Sequence, residues 1–168
     1  LGTGRSGRVV AARRDRDGAP VAIKYLSDEL RADLGFVGRF RHEARLLRLI
    51  SSPHVVRLHE YVETAAGSAI VMELVDGVPL RTLLNRHGPL GPEAALTVLK
   101  GTLLGLAAVH AAGVVHRDCK PENVIVTAGG RSVLVDFGVA VRIAAEGNAA
   151  GTPDYLAPEL WAGRSAGP

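Results

Sequence analysis

A single cysteine, Cys119, stands in the 168 residues, so no internal disulfide can close and no cysteine-knuckle metal site can be built. A reducing, cytoplasmic setting is the default that follows. Basic charge is not concentrated either. The formal net charge is +3, and the basic residues, mostly arginine, are scattered rather than gathered into a stripe, which argues against nucleic acid as a partner. No signal peptide stands at the first residue. No long apolar run is free of interruption: residues 96–115 come nearest, but Lys100 and His110 break the run and Gly101 and Gly105 dilute it. That stretch reads as a core helix and not as a membrane segment. Apolar material is nonetheless ample at 47%, which excludes a disordered chain and allows one domain or slightly more around a real core.

Along the chain, Val9-Val10 and Val21-Ala22-Ile23-Lys24 are separated by the polar stretch Arg13-Arg14-Asp15-Arg16-Asp17-Gly18, the pattern of two strands around a turn. A helix is expected over 36–50. At about 100° per residue, Phe36, Val37, Phe40, Ala44, Leu47 and Ile50 share one arc of roughly 140°, with Glu43 inside it. Pro53 ends that segment, and 55–62 and 69–74 read as strands, the second closing at Asp76-Gly77. Pro92 suits a first helical turn and Gly113 a left-handed stop, which predicts a long helix over about 93–112. Next comes a hairpin. Val124 to Thr127 is a β-branched run, Ala128-Gly129-Gly130-Arg131 is a turn signal, and 132–135 is a second short run. No internal repeat is evident. A strand-rich first part, 1–74, and a helix-led second part, 75–168, suggest two lobes joined near 73–76.

Several residues carry chemistry. Gly2, Gly4 and Gly7 in Gly2-Thr3-Gly4-Arg5-Ser6-Gly7-Arg8-Val9 would let backbone N–H groups approach a phosphate. A dinucleotide-binding fold would need a helix directly after them, yet the chain continues into strand. A Walker loop fails as well, because Arg8 and Val9 stand where its Lys and Ser or Thr belong. Lys24 shares a strand face with the small Ala22, leaving room for a flat ligand beside an ammonium. Glu43, a carboxylate in an apolar stripe, calls for a cation, with Lys24 the first candidate and Arg39 or Arg41 the alternatives. Folding the hairpin brings Asn123 and Asp136 to its open end, where an amide oxygen and a carboxylate suit Mg²⁺. Asp118, in the same loop, is in reach of a hydroxyl presented there, with capping of its own backbone as the duller alternative.

The series His116-Arg117-Asp118-Cys119-Lys120-Pro121-Glu122-Asn123 followed by Asp136-Phe137-Gly138 resembles the catalytic centre of protein kinases, closest to bacterial Ser/Thr kinases of eukaryotic type. The likeness runs from Gly2 to Glu159. It implies an α+β, two-lobed protein-kinase-like fold with a β-rich N-lobe, its first strand incomplete, and a truncated helical C-lobe. It also implies transfer of the ATP γ-phosphate to Ser or Thr hydroxyls of protein substrates, with ATP and Mg²⁺ required. Under the resemblance Asp118 accepts the hydroxyl proton, Lys120 neutralises the γ-phosphate, and Lys24 held by Glu43 grips the α- and β-phosphates. Met72 is the gatekeeper, the backbone of Glu73 and Val75 holds adenine, and Val9, Ala22 and Ile125 sandwich the ring. Thr152 orients Asp118 and Lys120, while Leu47, His116 and Phe137 stack as a spine. His116 is thereby structural. Cys119 reads as a packing residue, with a reactive thiol as the alternative.

Three departures accompany the likeness. Ser6 replaces the aromatic tip common in the glycine loop. Residues 139–150 contain no Ser, Thr or Tyr, so a phosphate that would dock on Arg117 has no attachment point. Glu146 as a constitutive substitute, or contact with a partner, is expected to take its place. Finally, the chain begins at the glycine loop and ends soon after Ala157-Pro158-Glu159, so it reads as a fragment that is inactive alone and exposes apolar surface. Two rival functions stay open. One is a pseudokinase-like nucleotide-binding module, against which the full set Lys24, Glu43, Asp118, Lys120, Asn123 and Asp136 argues. The other is a small-molecule phosphotransferase, against which Lys120 and the segment Gly151-Thr152-Pro153-Asp154-Tyr155-Leu156-Ala157-Pro158-Glu159 argue.

Overall fold

The structure is a computed structural model that describes residues 2–4, 7–27, 32, 34–64, 67–137, 153–155 and 157–162. The chain divides into two compact units, Leu1–Leu49 with Arg57–Leu74, and Ile50–Val56 with Val75–Pro168.

The first unit is an antiparallel sheet of five strands: β1 (Gly2–Gly4), β2 (Gly7–Arg13), β3 (Pro20–Leu26), β4 (Leu58–Thr64) and β5 (Gly67–Glu73), in the order β1-β2-β3-β5-β4. The expected pair of strands before residue 26 is therefore three. The short β1 pairs with β2 across the glycine loop, from Gly2↔Val9 to Gly4↔Gly7, and composition alone hides so brief a strand. Gly7 has φ +131°, and a Cβ there would run into the carbonyl of Tyr25, so only glycine fits. The β2–β3 turn is fixed by Asp17, whose carboxylate accepts from Arg14 Nε at 2.9 Å, Arg14 Nη2 at 2.7 Å and Ala19 N at 3.1 Å. Helix α1 (Leu34–Leu47) packs on β4, with Phe40 edge-on to Tyr61 at 5.6 Å between ring centroids. Phe40, Ala44 and Leu47 are buried with Val21, Ala22, Leu26, Leu58, Ala69 and Ile70. The helix stops at Leu47, short of the expected residue 50. The chain there enters a turn in which Ser52 Oγ accepts from His54 N at 3.2 Å, and Pro53 disfavours helix in the residue before it.

The second unit is built on a three-stranded sheet, β6 (Val78–Pro79), β7 (Val124–Val126) and β8 (Ser132–Leu134), in that order. Residues 54–56 add to its β8 edge: Leu134 N donates to His54 O and Val56 N to Leu134 O, both at 2.9 Å. That pairing explains why the strand expected from residue 55 begins only at Leu58. Strand β6 and the helix α2 (Leu80–His87) that follows it had no counterpart in the sequence pattern. The long helix α3 (Pro92–Ala111) falls where expected, with Pro92 in its first turn and Gly113 beyond its end at φ +74°. Its burial differs from the core helix anticipated. Only one edge, Gly101, Gly105 and Val109, is buried, whereas Leu96, Leu99, Leu103 and Leu104 are exposed. By length and composition alone α3 could cross a membrane, at mean hydropathy 1.5. Its glycine edge is instead seated on His54 and Leu134 of its own unit. A short helix α4 (Pro158–Trp161) follows a 3-10 turn over Pro153–Tyr155.

Candidate active site

The loop leading into the hairpin is organised by a buried imidazole. His116 is 1% exposed; its Nδ1 accepts from Asp118 N at 3.4 Å, and its Nε2 lies 3.2 Å from Val135 O. A ring nitrogen facing an N–H must carry the lone pair, so the proton sits on Nε2 and is donated to the carbonyl. Burial holds the His116 pKa below its ordinary value, against the opposing pull of the Val135 carbonyl, Asp118 and Asp136. The neutral ring, both nitrogens engaged, is a strut and not a base, as the resemblance implied. Its face lies 4.8 Å from the Phe137 ring.

Asn123, also buried, closes the loop from the other side. Its Nδ2 donates to Asp118 O at 2.8 Å and to Asp118 Oδ2 at 2.9 Å. Two acceptors on one side fix which end of the amide is nitrogen, so Oδ1 is turned the other way. The hairpin behaves as expected: Val124↔Leu134 and Val126↔Ser132 pair, and Val135 N donates to Asn123 O at 2.9 Å. That last bond carries the pairing one step past the strands and sets the backbones of residues 123 and 135 together, with Asp136 next. Among the described residues the only non-glycine positions in the left-handed region are Arg117 (φ 63°) and Asp136 (φ 56°). Both adjoin this site, a placement typical of strain held by surrounding structure.

Lys120 Nζ lies 2.9 Å from Asp118 Oδ2. Among the described residues, both side-chain contacts to the Asp118 carboxylate therefore fall on one oxygen. Cys119 between them is exposed, not the packing residue expected, because Asp118 and Lys120 take the inward positions. Desolvation around its sulfur and the nearby Asp118 push its pKa up, so the thiol stays protonated at neutral pH and is a poor nucleophile.

A hard divalent cation fits the donor set at the hairpin mouth. The Asn123 amide nitrogen is committed to Asp118, which turns its oxygen the other way, and a carboxylate stands at position 136. Among the described residues no three His, Cys, Asp or Glu side chains are gathered into a cage, so such an ion would draw further oxygens from phosphate and water, the habit of Mg²⁺.

Other predicted site residues belong to the first unit. Lys24 is buried on β3 between Val9 of β2 and Ile70 of β5, on the same face as the buried Ala22. Met72 is the β5 partner of Ala22, and Glu73 N donates to Arg57 O at 2.8 Å. Val75 and Ile125 fall in the second unit. Arg41, one of the alternative cations for Glu43, is paired with Glu63 at 2.5 Å. The Glu43 side chain, Thr152, Gly138 and Glu146 lie outside the described residues, as does the whole stretch 139–150.

One group of residues escaped the sequence reading. Arg81 of α2 donates through Nε to Glu122 Oε1 at 2.9 Å and through Nη2 to the Tyr155 hydroxyl. Partial burial works to raise the Glu122 pKa, but the Arg81 hydrogen bond, its own backbone and nearby Lys120 hold it below the ordinary value. The partners stand 41 and 74 residues apart, so no local pattern could have joined them.

A family profile described as protein kinase domain matches residues 1–168, and the chain belongs to that family. The chain is 44% identical to the serine/threonine-protein kinase PkaB of Streptomyces coelicolor over 95% of its residues, covering 41% of that relative. It is 39% identical to PknD of Mycobacterium tuberculosis over 97% of its residues, covering 25% of PknD. It thus spans about a quarter to two fifths of the length of these curated relatives. Among solved structures, Rad53 in complex with AMP-PNP matches 97% of the chain, covering 41% of that protein, with a TM-score of 0.80 and 27% identity. The PknI kinase domain of Mycobacterium tuberculosis matches 99%, with 65% of that domain covered, a TM-score of 0.77 and 27% identity. The two-lobed α+β kinase fold is thereby established, its β-rich lobe being the first unit.

Proposed function

We propose that the protein is an ATP- and Mg²⁺-dependent serine/threonine kinase that transfers the γ-phosphate of ATP to hydroxyls of protein substrates. The observation that carries this reading is the Asp118–Lys120–Asn123 cluster at the mouth of the hairpin that bears Asp136. Phosphoryl transfer asks mainly for positioning and charge neutralisation, and each residue has one of these tasks.

Asp118 receives the acceptor proton as the hydroxyl oxygen bonds to phosphorus and the bond to the ADP leaving oxygen breaks. With Oδ2 occupied by Asn123 and Lys120, Oδ1 is the oxygen for that proton. Lys120 moves its charge from Asp118 onto the transferring phosphoryl group. Asn123 Oδ1 and the Asp136 carboxylate would hold Mg²⁺, which when bound neutralises phosphate oxygens. Lys24, partnered by Glu43, grips the α- and β-phosphates beneath Gly2, Gly4 and Gly7. Met72, the backbone of Glu73 and Val75, and the side chains of Val9, Ala22 and Ile125 receive adenine. Thr152 orients Asp118 and Lys120 toward the acceptor.

The test is transfer of labelled γ-phosphate to a generic protein acceptor such as casein by the full-length protein. Asp118→Asn should lower transfer by roughly 10²- to 10⁴-fold, the usual scale of a positioned proton acceptor, and Lys24→Met should abolish it through loss of phosphate grip. Label that persists at the unmutated level in both variants overturns the assignment.

A further inference from the structure

Arg81 occupies an unusual position for a surface arginine, because one guanidinium joins three separate parts of the second unit. It sits at the start of α2, directly behind β6, whose Val78 and Pro79 pair with Val126 and Ile125 of β7. Its base is thus anchored to the hairpin. From there Nε reaches Glu122 Oε1 at 2.9 Å, Nη2 reaches the Tyr155 hydroxyl, and the guanidinium carbon lies 5.9 Å from the centre of the Tyr155 ring. Such a planar, forked donor holds two partners in fixed directions, whereas an ammonium is a compact charge on a flexible stem.

The partners matter by their neighbours. Glu122 lies in the 3-10 turn Pro121–Asn123, between Lys120 and the Asn123 that holds the Asp118 carboxylate. Tyr155 ends the other 3-10 turn, Pro153–Tyr155. In many kinases a phosphate on the intervening segment, paired with arginine, orders it against the catalytic loop. Residues 139–150 offer no hydroxyl for such a phosphate.

We propose that Arg81 is a positioning residue, a clasp that sets the Pro153–Tyr155 turn against the loop carrying Asp118 and Lys120 and so forms the protein-acceptor side of the site without phosphorylation. This deepens the kinase reading above and rests on it. On the kinase reading the acceptor hydroxyl approaches Asp118 and Lys120, the loop against which this turn is set, so the acceptor should feel the turn more than ATP does. Loss of the clasp therefore separates the two substrates.

The experiment uses the full-length protein with Arg81→Gln, Arg81→Lys, Glu122→Gln, Tyr155→Phe and the Arg81→Gln/Glu122→Gln double variant. Arg81→Gln should raise KM for the casein acceptor roughly three- to tenfold, the size expected for losing a partly exposed ion pair and a hydrogen bond, with KM for ATP unchanged. The double variant should be no worse than Arg81→Gln alone. Arg81→Lys should be intermediate, since it keeps the ion pair but lacks the planar fork that fixes both partners in place. Hydrogen exchange of peptides spanning 153–162 should quicken in Arg81→Gln and, less, in Tyr155→Phe. Unchanged exchange in Arg81→Gln overturns the clasp, as does an unchanged acceptor KM. Absence of transfer by the unmutated protein overturns the kinase reading instead, and the exchange measurement still decides whether the clasp exists.

Discussion

Two neighbouring parts of the second unit invert the ordinary rule of burial. In the loop and hairpin around residue 120 polar side chains share the interior with Val124, Val133 and Leu134: His116, Asn123 and Ser132 are all at most 5% exposed. On α3, a few residues upstream, four leucines face outward, Leu96 at 65% exposure and Leu99 at 53%. The first arrangement is stable because each buried polar group meets a partner. His116 engages Asp118 N and Val135 O, Asn123 engages Asp118 twice, and the Ser132 hydroxyl donates to Val98 O at 3.2 Å. A buried polar group so satisfied costs little, whereas one left alone costs about 1–3 kcal/mol. The second arrangement is anchored not by its leucines but by its glycines, which bring the helix backbone down onto His54 and Leu134. Apolar character and burial are thus separate properties of α3, and the small residues decide where it sits.

The sharpest way to break that contrast is Gly105→Ala. A methyl group there would lie 2.6 Å from His54 O and 2.8 Å from Leu134 Cδ1, with backbone on one side and a fully buried leucine on the other. Alanine gains about 1 kcal/mol of helix propensity, yet the overpacking should outweigh it and leave a net loss of about 1–3 kcal/mol. Urea denaturation followed by circular dichroism measures the difference. A neutral or stabilising result would show that α3 is not seated through this edge.

A smaller effect comes from the polar side of the comparison. The folded-state pKa of His116 is depressed below its ordinary value of 6.5, so the folded form binds its proton less readily than the unfolded chain does. The associated stability is complete above pH 6.5 and is lost as pH falls through that value toward the lower folded one, with a slope of at most about 1.4 kcal/mol per pH unit. His59, desolvated and near Arg14 and Arg57, is shifted the same way. Stability measured between pH 8 and 5 should therefore fall in the unmutated chain and fall less steeply in His116→Gln, the residual slope belonging to His59. Equal slopes would mean that the fold leaves the His116 pKa where the unfolded chain has it.

Much of this was readable from residue order, for a physical reason. The hairpin and its open end follow from a β-branched run, a Gly-Gly turn and a second run, all local, and the backbones of residues 123 and 135 are brought together by nothing more than that register. The α3 boundaries follow from Pro92 and Gly113. The limits are equally physical. Strands as short as β1 and β6 carry too few residues for a period. The segment 54–56 looks like the start of β4 but is claimed by β8 through long-range hydrogen bonds. The Arg81–Glu122–Tyr155 contact joins parts of the chain with no shared pattern. The apolar run over 96–115 placed α3 in the core because apolar content does not say which face is covered, whereas packing was settled by Gly101 and Gly105. For the candidate site, spacing grouped Asp118 with Asn123 and the resemblance added Lys120, while the use of a single Asp118 oxygen by both neighbours is visible only in three dimensions.

The smallest expected effect is on the outer face of α3. Leucine and glutamine have similar helix propensity, so Leu99→Gln changes burial and little else. With Leu99 as exposed as it is, the substitution should alter the unfolding free energy of the 168-residue chain by no more than about 0.5 kcal/mol. The paired measurement is the same substitution in the full-length protein. Covering a leucine fully is worth about 1.5–3 kcal/mol, so a cost of that size there, beside indifference in the shorter chain, would show that further polypeptide lies over the leucine row. Indifference in both would leave the row facing solvent. A large cost already in the 168-residue chain would contradict the outward placement of Leu99, and with it the contrast between a helix held by its glycines and a loop held by its hydrogen bonds.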